Sequence, residues 1–410
     1  MKIYLYENRL SSEKLFPICS NRPIFDLKCG VYSVFERVKK IFPNQEISFF
    51  VRDEIKNLVS EKNNFEINPK KVDDGLWLSS NVLWNENLIN EIKNKKNVIS
   101  FKNKNLGFFL SKNKGNEWIS NGGPIDTELM DLDLQMNKII VSNNYYFEYL
   151  WHLLNINNFM LKNDSKNFKM GKIHSKRNED FHLINKKNIF ISKNSQIRTG
   201  TILDAKLGPI IISENVIIEP GAYVQGPVFI DENVIIKPFS KILKNTTIGA
   251  GCKIGGEISE CIFQGWSNKQ HDGFLGHSYI GEWINLGAGT NNSDLKNNYS
   301  NVKVYIKNKL FDTNQLFIGV FIGDYSKSAI STRFNTGTIV GIGSNIVSNI
   351  FPPKNIKAFS WIIDNKINVH NYDKFIQTAK ISKLRRNQIF TKNEQEFFFN
   401  YFKQSEIDVD

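Results

Sequence analysis

The sequence predicts two fold classes in one chain, an α/β domain followed by a parallel β-helix that a helical tail closes. Three observations carry the prediction. Aliphatic residues recur every six residues through the middle of the chain, strand-like and helix-like stretches alternate before it, and a segment helical in composition follows Pro352-Pro353.

The six-residue period is the strongest of the three. Written in sixes from Ile210, the chain reads IIISEN, VIIEPG, AYVQGP, VFIDEN, VIIKPF, SKILKN, TTIGAG, CKIGGE, with Ile212, Ile218, Val224, Ile230, Ile236, Ile242, Ile248 and Ile254 in third place. Eight aliphatics in register by chance has a probability on the order of 10⁻⁵. A period of six drifts around a 3.6-residue helical turn, and glycine or proline in nearly every unit opposes a helix. Short strands that each send one aliphatic into a narrow prism satisfy both facts. Ile191, Ile197 and Leu203 extend the register upstream; Ile280, Leu286, Ile322, Phe334, Val340 and Ile346 extend it downstream, with Ser328 as a weak unit.

Two interruptions are expected. In FQGWSNKQHDGFLGHSYIGEWINLGAGTNN, Phe263 to Asn292, the aliphatic register stops and two of the six histidines arrive together. The register resumes at Ile280, so an inserted loop anchored by coils at both ends is expected. The second is the Asn-rich TNNSDLKNNYSNVKVYIKNKLFDTNQ. A solenoid cannot cover its own ends or flat faces, so a cap or an oligomer is expected.

Before the repeat, MKIYLYEN and QEISFFVRD read as strands and GVYSVFERVKKIF as the helix between them, a βαβ opening. The polar KNDSKNFKMGKIHSKRNED reads as a linker, and YDKFIQTAKISKLRRNQIFTKNEQEFFFNYFKQ as a helical brace. The expected organisation is an α/β domain over 1–165, a linker over 166–187, the β-helix over 188–350 and the tail over 351–410.

Composition narrows the function. Lys+Arg 53 against Asp+Glu 41 leaves a formal charge of +12, but the lysines are scattered among asparagines and form no stripe with aromatics. That pattern disfavours nucleic acid and suits phosphate-bearing small substrates. Cys19, Cys29, Cys252 and Cys261 show no CxxC spacing, which reads as a reduced, cytoplasmic protein. No stretch approaches the ~18 apolar residues of a membrane span, and MKIYLYENRLSSEK lacks the order of a signal peptide. No membrane partner is expected.

Several motifs then resemble one family. LKNTTIGAGCK, SNKQH, SYIGEWINLGAGT, and GDYSKSAIS followed by GTIVGIGS are similar to the left-handed β-helix of sugar-1-phosphate nucleotidyltransferases. Most similar is the bifunctional N-acetylglucosamine-1-phosphate uridylyltransferase/glucosamine-1-phosphate acetyltransferase group. The resemblance implies acetyl transfer from acetyl-CoA to an amino-sugar phosphate. A histidine would take the ammonium proton before nitrogen attacks the thioester. It implies His271 as the base, with His277 the alternative and Asp272 able to orient a ring. It also implies Tyr279 and Asn285 on the amino sugar, Lys244 on its phosphate, Lys269 in the lysine-then-histidine segment, Asp294 where the family keeps an asparagine, and Ser328 and Thr338 along the acyl-CoA. Gly276 holds the place of the family histidine, three before the tyrosine.

The N-terminal resemblance is sparser. KLFPICSNRPIFD, DDGLWLSSNVLW and YLWHLLNINNFML are similar to family segments, but YLYENRLSSEK has no glycine where backbone amides would cradle a triphosphate. An α/β nucleotidyltransferase-like, Rossmann-like domain is implied, with Arg9, Lys14, Arg22 and Asn81 toward the nucleotide and Mg²⁺ if the domain is active. His152 reads as a packed helix residue. The resemblance further implies a homotrimer acting on a sugar 1-phosphate and a nucleoside triphosphate. Three rivals stay open: nucleotidyl transfer alone on a trimerising stem, acyl transfer alone beside an inactive first domain, or a non-catalytic sugar-nucleotide-binding scaffold.

Overall fold

The computed structural model describes residues 1–62, 64–93, 95–129, 136–174 and 180–407. Part of the expected linker, 175–179, and the last residues of the tail, 408–410, lie outside them. The chain divides into two compact units, one holding most of residues 1–152 and the other holding 153–410 with the short segments 16–18 and 28–31.

The first unit is a seven-stranded mixed sheet with helices. Its strands are β1 (Lys2–Tyr6), β2 (Ile47–Phe50), β3 (Glu66–Ile67), β4 (Gly75–Ser79), β5 (Asn97–Phe101), β6 (Lys104–Leu110) and β7 (Asn137–Ile140), in the order β3-β2-β1-β4-β6-β5-β7. Strand β1 pairs in parallel with β2 and β4, and β6 runs antiparallel to β4 and β5. The helices are α1 (Arg9–Glu13), α2 (Val34–Ile41), α3 (Lys56–Lys62), α4 (Glu86–Lys93) and α5 (Lys112–Ser120). Helix α2 starts where Ser33 and Glu36 form a reciprocal capping box, which satisfies two orphan amides. Tyr4, Trp77, Trp118 and Phe108 fill one side of the sheet. β1, α2 and β2 confirm the expected βαβ opening.

The second unit is the left-handed parallel β-helix, with three sides. A six-stranded face runs from His182–Ile184 to Phe274–Gly276, a nine-stranded face from Ile189–Ile191 to Asn355–Ile356, and a ten-stranded face from Gln196–Ile197 to Ser360–Ile363 and its hairpin partner Lys366–Val369. The third-place aliphatics stack coil upon coil and form one continuous core. Asn194, Asn215, Asn233 and Asn245 turn the corners at φ of 57–60°. Asparagine tolerates this left-handed region better than most side chains, so part of the chain's asparagine enrichment is geometric.

The expected inserted loop is not a loop. Asn268–Lys269 and Phe274–Gly276 are strands of the ten- and six-stranded faces, in register with Lys253–Ile254 and Glu257–Ser259. The coil continues because Lys269 takes the inward position and Leu275 the next, and a five-residue step brings in Ile280. Lys269 is 1% exposed, and its ammonium donates to the carbonyls of His271 (2.5 Å) and Gly255 (3.4 Å). Burial lowers it to about 8. The second interruption is a true insertion: it holds the antiparallel hairpin Lys303–Ile306 and Lys309–Asp312. Past Pro352-Pro353 the coils continue, with Ile356 and Ile362 pointing inward. Helix α6 (Leu150–Asp164) spans the boundary between the units in sequence, and α7 (Tyr372–Leu384) and α8 (Lys392–Ile407) form the tail.

Candidate functional site

On the β-helix, a column of polar groups rises along the corner that joins the six- and nine-stranded faces. Lys244, Glu260 and His277 come from successive coils: the Glu260 amide bonds the Lys244 carbonyl, and the His277 amide bonds the carbonyl of Ser259. Lys244 Nζ lies 3.2 Å from Glu260 Oε1, and Glu260 Oε2 lies 3.5 Å from His277 Nε2. His277 Nδ1 is 2.8 Å from Asp294 Oδ2, and Phe317 stacks on the ring at 5.2 Å. Asp294 and Phe317 both come from the insertion, which returns across the corner.

This arrangement orients an imidazole. In the tautomer that donates Nδ1–H to Asp294, Nε2 is the position left for a proton, and it faces the Glu260–Lys244 pair. His277 sits at a φ of 45°, in the left-handed region that histidine enters more readily than most non-glycine residues. Gly276 precedes it, at the end of the strand Phe274–Gly276. A Cβ there would lie 2.4 Å from Asp294 Oδ2, so the residue in the family histidine's place must be glycine for Asp294 to reach the neighbouring imidazole.

His271 and Asp272 are placed differently. Both are exposed on a turn, and among the described residues neither side chain has a hydrogen-bond partner, so Asp272 does not orient His271. Tyr279 is fully buried: its hydroxyl bonds Gln264 Oε1 at 2.8 Å and the Lys28 carbonyl at 3.1 Å, and accepts from the Lys28 amide at 3.0 Å. It holds the 28–31 segment on the nine-stranded face. Asn285 projects from the ten-stranded face and accepts from Asn268 at 3.3 Å, away from the His277 corner. Ser328 and Thr338 are internal, with Ser328 Oγ 2.9 Å from Thr290 Oγ1 and Thr338 donating to the Asn335 carbonyl at 2.8 Å. Sequence reasoning missed Glu260 and Phe317. Glu260 stands one coil before His277 at the corner position, a signal visible once the coil count is right.

In the first unit, the carboxyl ends of β1 and β4 enclose a cavity of only about 30 Å³, lined by Tyr6, Asn8, Asn81, Lys104 and Glu128 among others. Asn8 caps α1 and donates to the carbonyls of Pro124 and Ile125, which closes the segment where a glycine-rich loop would be. Arg9 pairs with Glu54 and, at 2.7 Å, with Asp126; Lys14 pairs with Glu148. Arg22 is buried, and Asn81 is buried with its amide on the Phe147 carbonyl at 3.0 Å. Glu7 is fully buried, holding Arg52 at 3.1 Å and the Ile24 amide at 2.9 Å. Glu128 pairs with Lys104 at 2.6 Å. Among the described residues no three His, Cys, Asp or Glu converge as metal ligands. Glu128 is the carboxylate among the cavity's lining residues and Lys104 holds it, which does not fit a Mg²⁺ site there. His152 is half-buried at the end of this unit, where burial lowers its pKa.

Comparison with known proteins follows these two parts. Residues 3–173 match the family model described as Sugar nucleotidyl transferase. The relatives are bifunctional. The bifunctional sugar-1-phosphate nucleotidylyltransferase/acetyltransferase of Sulfurisphaera tokodaii is 36% identical over 141 residues, 34% of this chain and 35% of the relative. The bifunctional protein GlmU of Wigglesworthia glossinidia brevipalpis is 31% identical over 42% of this chain and 34% of its own length. That of Methanococcus aeolicus is 28% identical over 331 residues, 78% of this chain and 72% of the relative. The chain thus spans about a third of the first two relatives. No helix among the described residues is long and apolar enough to cross a membrane.

Proposed function

We propose that this chain is a transferase of amino-sugar nucleotide synthesis whose β-helix N-acetylates an amino-sugar phosphate with acetyl-CoA, His277 serving as the base. The observation that carries the reading is the His277–Asp294 contact at 2.8 Å beside Lys244. Asp294 fixes the tautomer, and Nε2 takes a proton from the substrate ammonium. The freed amine attacks the thioester carbonyl; as the tetrahedral intermediate collapses the C–S bond breaks, and the second proton shed by the nitrogen goes to the departing thiolate, which leaves as the thiol. Lys244 exchanges Glu260 for the substrate phosphate. The bifunctional nucleotidylyltransferase/acetyltransferase relative supports the same chemistry.

The test is thiol release from acetyl-CoA with glucosamine 1-phosphate. His277→Ala should lower kcat by about 10²–10⁴-fold, Asp294→Asn should lower it less, and His271→Ala should leave it near wild type. Loss of activity in His271→Ala with an active His277→Ala would overturn the assignment.

A second reading, nucleotidyl transfer by the first unit, is favoured by the family match over residues 3–173. It predicts pyrophosphate release from UTP and a sugar 1-phosphate. Failure of that assay with success of the first would mark the first unit as non-catalytic. A homotrimer in the cytoplasm is part of the proposal. The outward residues of the six-stranded face, Tyr223, Lys241 and Phe274, stay exposed or half-buried, and nearby Phe239 is 79% exposed.

A further inference from the structure

A cavity of about 300 Å³ lies between the ten-stranded face and α7, on another side of the prism from His277. Four cations line it: Lys253 and Lys327 from the coils, Arg385 and Arg386 just past the end of α7. No Asp or Glu is among its lining residues. Arg386 spends its donors on neutral groups, the Gly251 carbonyl at 3.2 Å and Asn268 Oδ1 at 2.7 Å. Among the described residues the Lys327 ammonium meets the Tyr325 carbonyl alone, at 3.4 Å.

Like charges gathered in a half-buried cavity oppose one another and lose hydration. The consequence is visible in the lysines. Burial lowers Lys327 to about 8, and burial followed by the charges of Arg386, Lys237 and Arg385 lowers Lys253. The wall is rigid: Trp266 and Trp283 stack at 5.4 Å and 5°, and Trp283 stacks in turn on Tyr325. Trp266 and Trp283 line the cavity and stack on each other, and the charged recognition of a ligand falls to the cations.

We propose that this cavity is a binding site for a diphosphate-bearing ligand. Two linked phosphoryl groups bring two to three negative charges to a cavity lined by four cations, and guanidinium and ammonium donors match phosphoryl oxygens. The site lies apart from the acetyl-transfer corner and does not rest on that reading. The diphosphate could belong to a nucleoside diphosphate or to coenzyme A.

The test is titration of the full chain with inorganic pyrophosphate, UDP and coenzyme A, followed by calorimetry and by tryptophan fluorescence. At least one should bind saturably with a Kd below about 1 mM. Lys327→Gln and Arg386→Gln should each weaken it tenfold or more, and His277→Ala should not. Binding of UDP without coenzyme A assigns the nucleotide source, and the reverse assigns the coenzyme. Lys327→Gln should keep or raise the melting temperature of the unliganded protein, since it removes a buried, uncompensated cation. Should either variant fail to fold, Lys253→Gln takes its place. No saturable binding of any probe, unchanged binding in the folded variants, or loss of binding in His277→Ala would overturn the proposal.

Discussion

A lysine at the centre of an aliphatic prism is a departure whose effect on stability has a definite sign. Lys269 is lowered from 10.5 to about 8 by burial, with Asp272 opposing the shift. Between those values the unfolded chain holds a proton that the folded chain has released, so stability rises with pH across about 8 to 10.5. Lys269→Met should flatten this component, seen as a smaller change in denaturant midpoint over that window; an unchanged slope would show that Lys269 is not the group responsible. The same residue shows why the site was only partly legible. Asn292 does as Lys269 does: its side chain replaces an aliphatic and bonds the Gly276 amide (2.8 Å) and carbonyl (3.1 Å). A search for aliphatics in third place loses the thread at both. His277 was in view as a candidate, but its partner Asp294 lies 17 residues on, beyond any local pattern.

The coil is the element that decides stability. Each one contributes three inward residues to a core that touches only its neighbours, so damage should stay local in structure yet register in the whole unit. Ile236 is fully buried in the middle of that core. Ile236→Ala should cost about 2–5 kcal/mol in denaturant unfolding of the β-helix. Ile330, 72% exposed, gives the contrast: Ile330→Ser should stay within about 0.5 kcal/mol. Equal costs would mean that the prism is not the stabilising core. Here the sequence was most readable, because an inward strand position admits little but an aliphatic. The corners were harder, since Trp266, His277, Trp283 and Tyr325 all take positive φ and nothing in their composition announces it.

For the whole molecule, the sequence separated an α/β part from a solenoid because the two obey different periods. It could not foresee that the segment after β1 would be tied down by Asn8, a contact to residues more than a hundred positions away. Assembly is the open consequence of the exposed six-stranded face. Sedimentation should give three times the chain mass of 47.3 kDa, and Phe239→Glu should shift it toward the monomer. A monomeric wild type at micromolar concentration would remove the trimer from the proposal.

The corner column also acts as a ruler. Adjacent strands in a sheet lie about 4.8 Å apart, so Lys244 and His277, two coils apart, have their backbones spaced by roughly 10 Å. A phosphate held at one end and an amine presented at the other must match that spacing, and the spacing changes only in whole coils. Selection among amino-sugar phosphates would then be quantised: a coil gained or lost between the two residues changes which substrate reaches, while coils gained elsewhere leave the choice untouched.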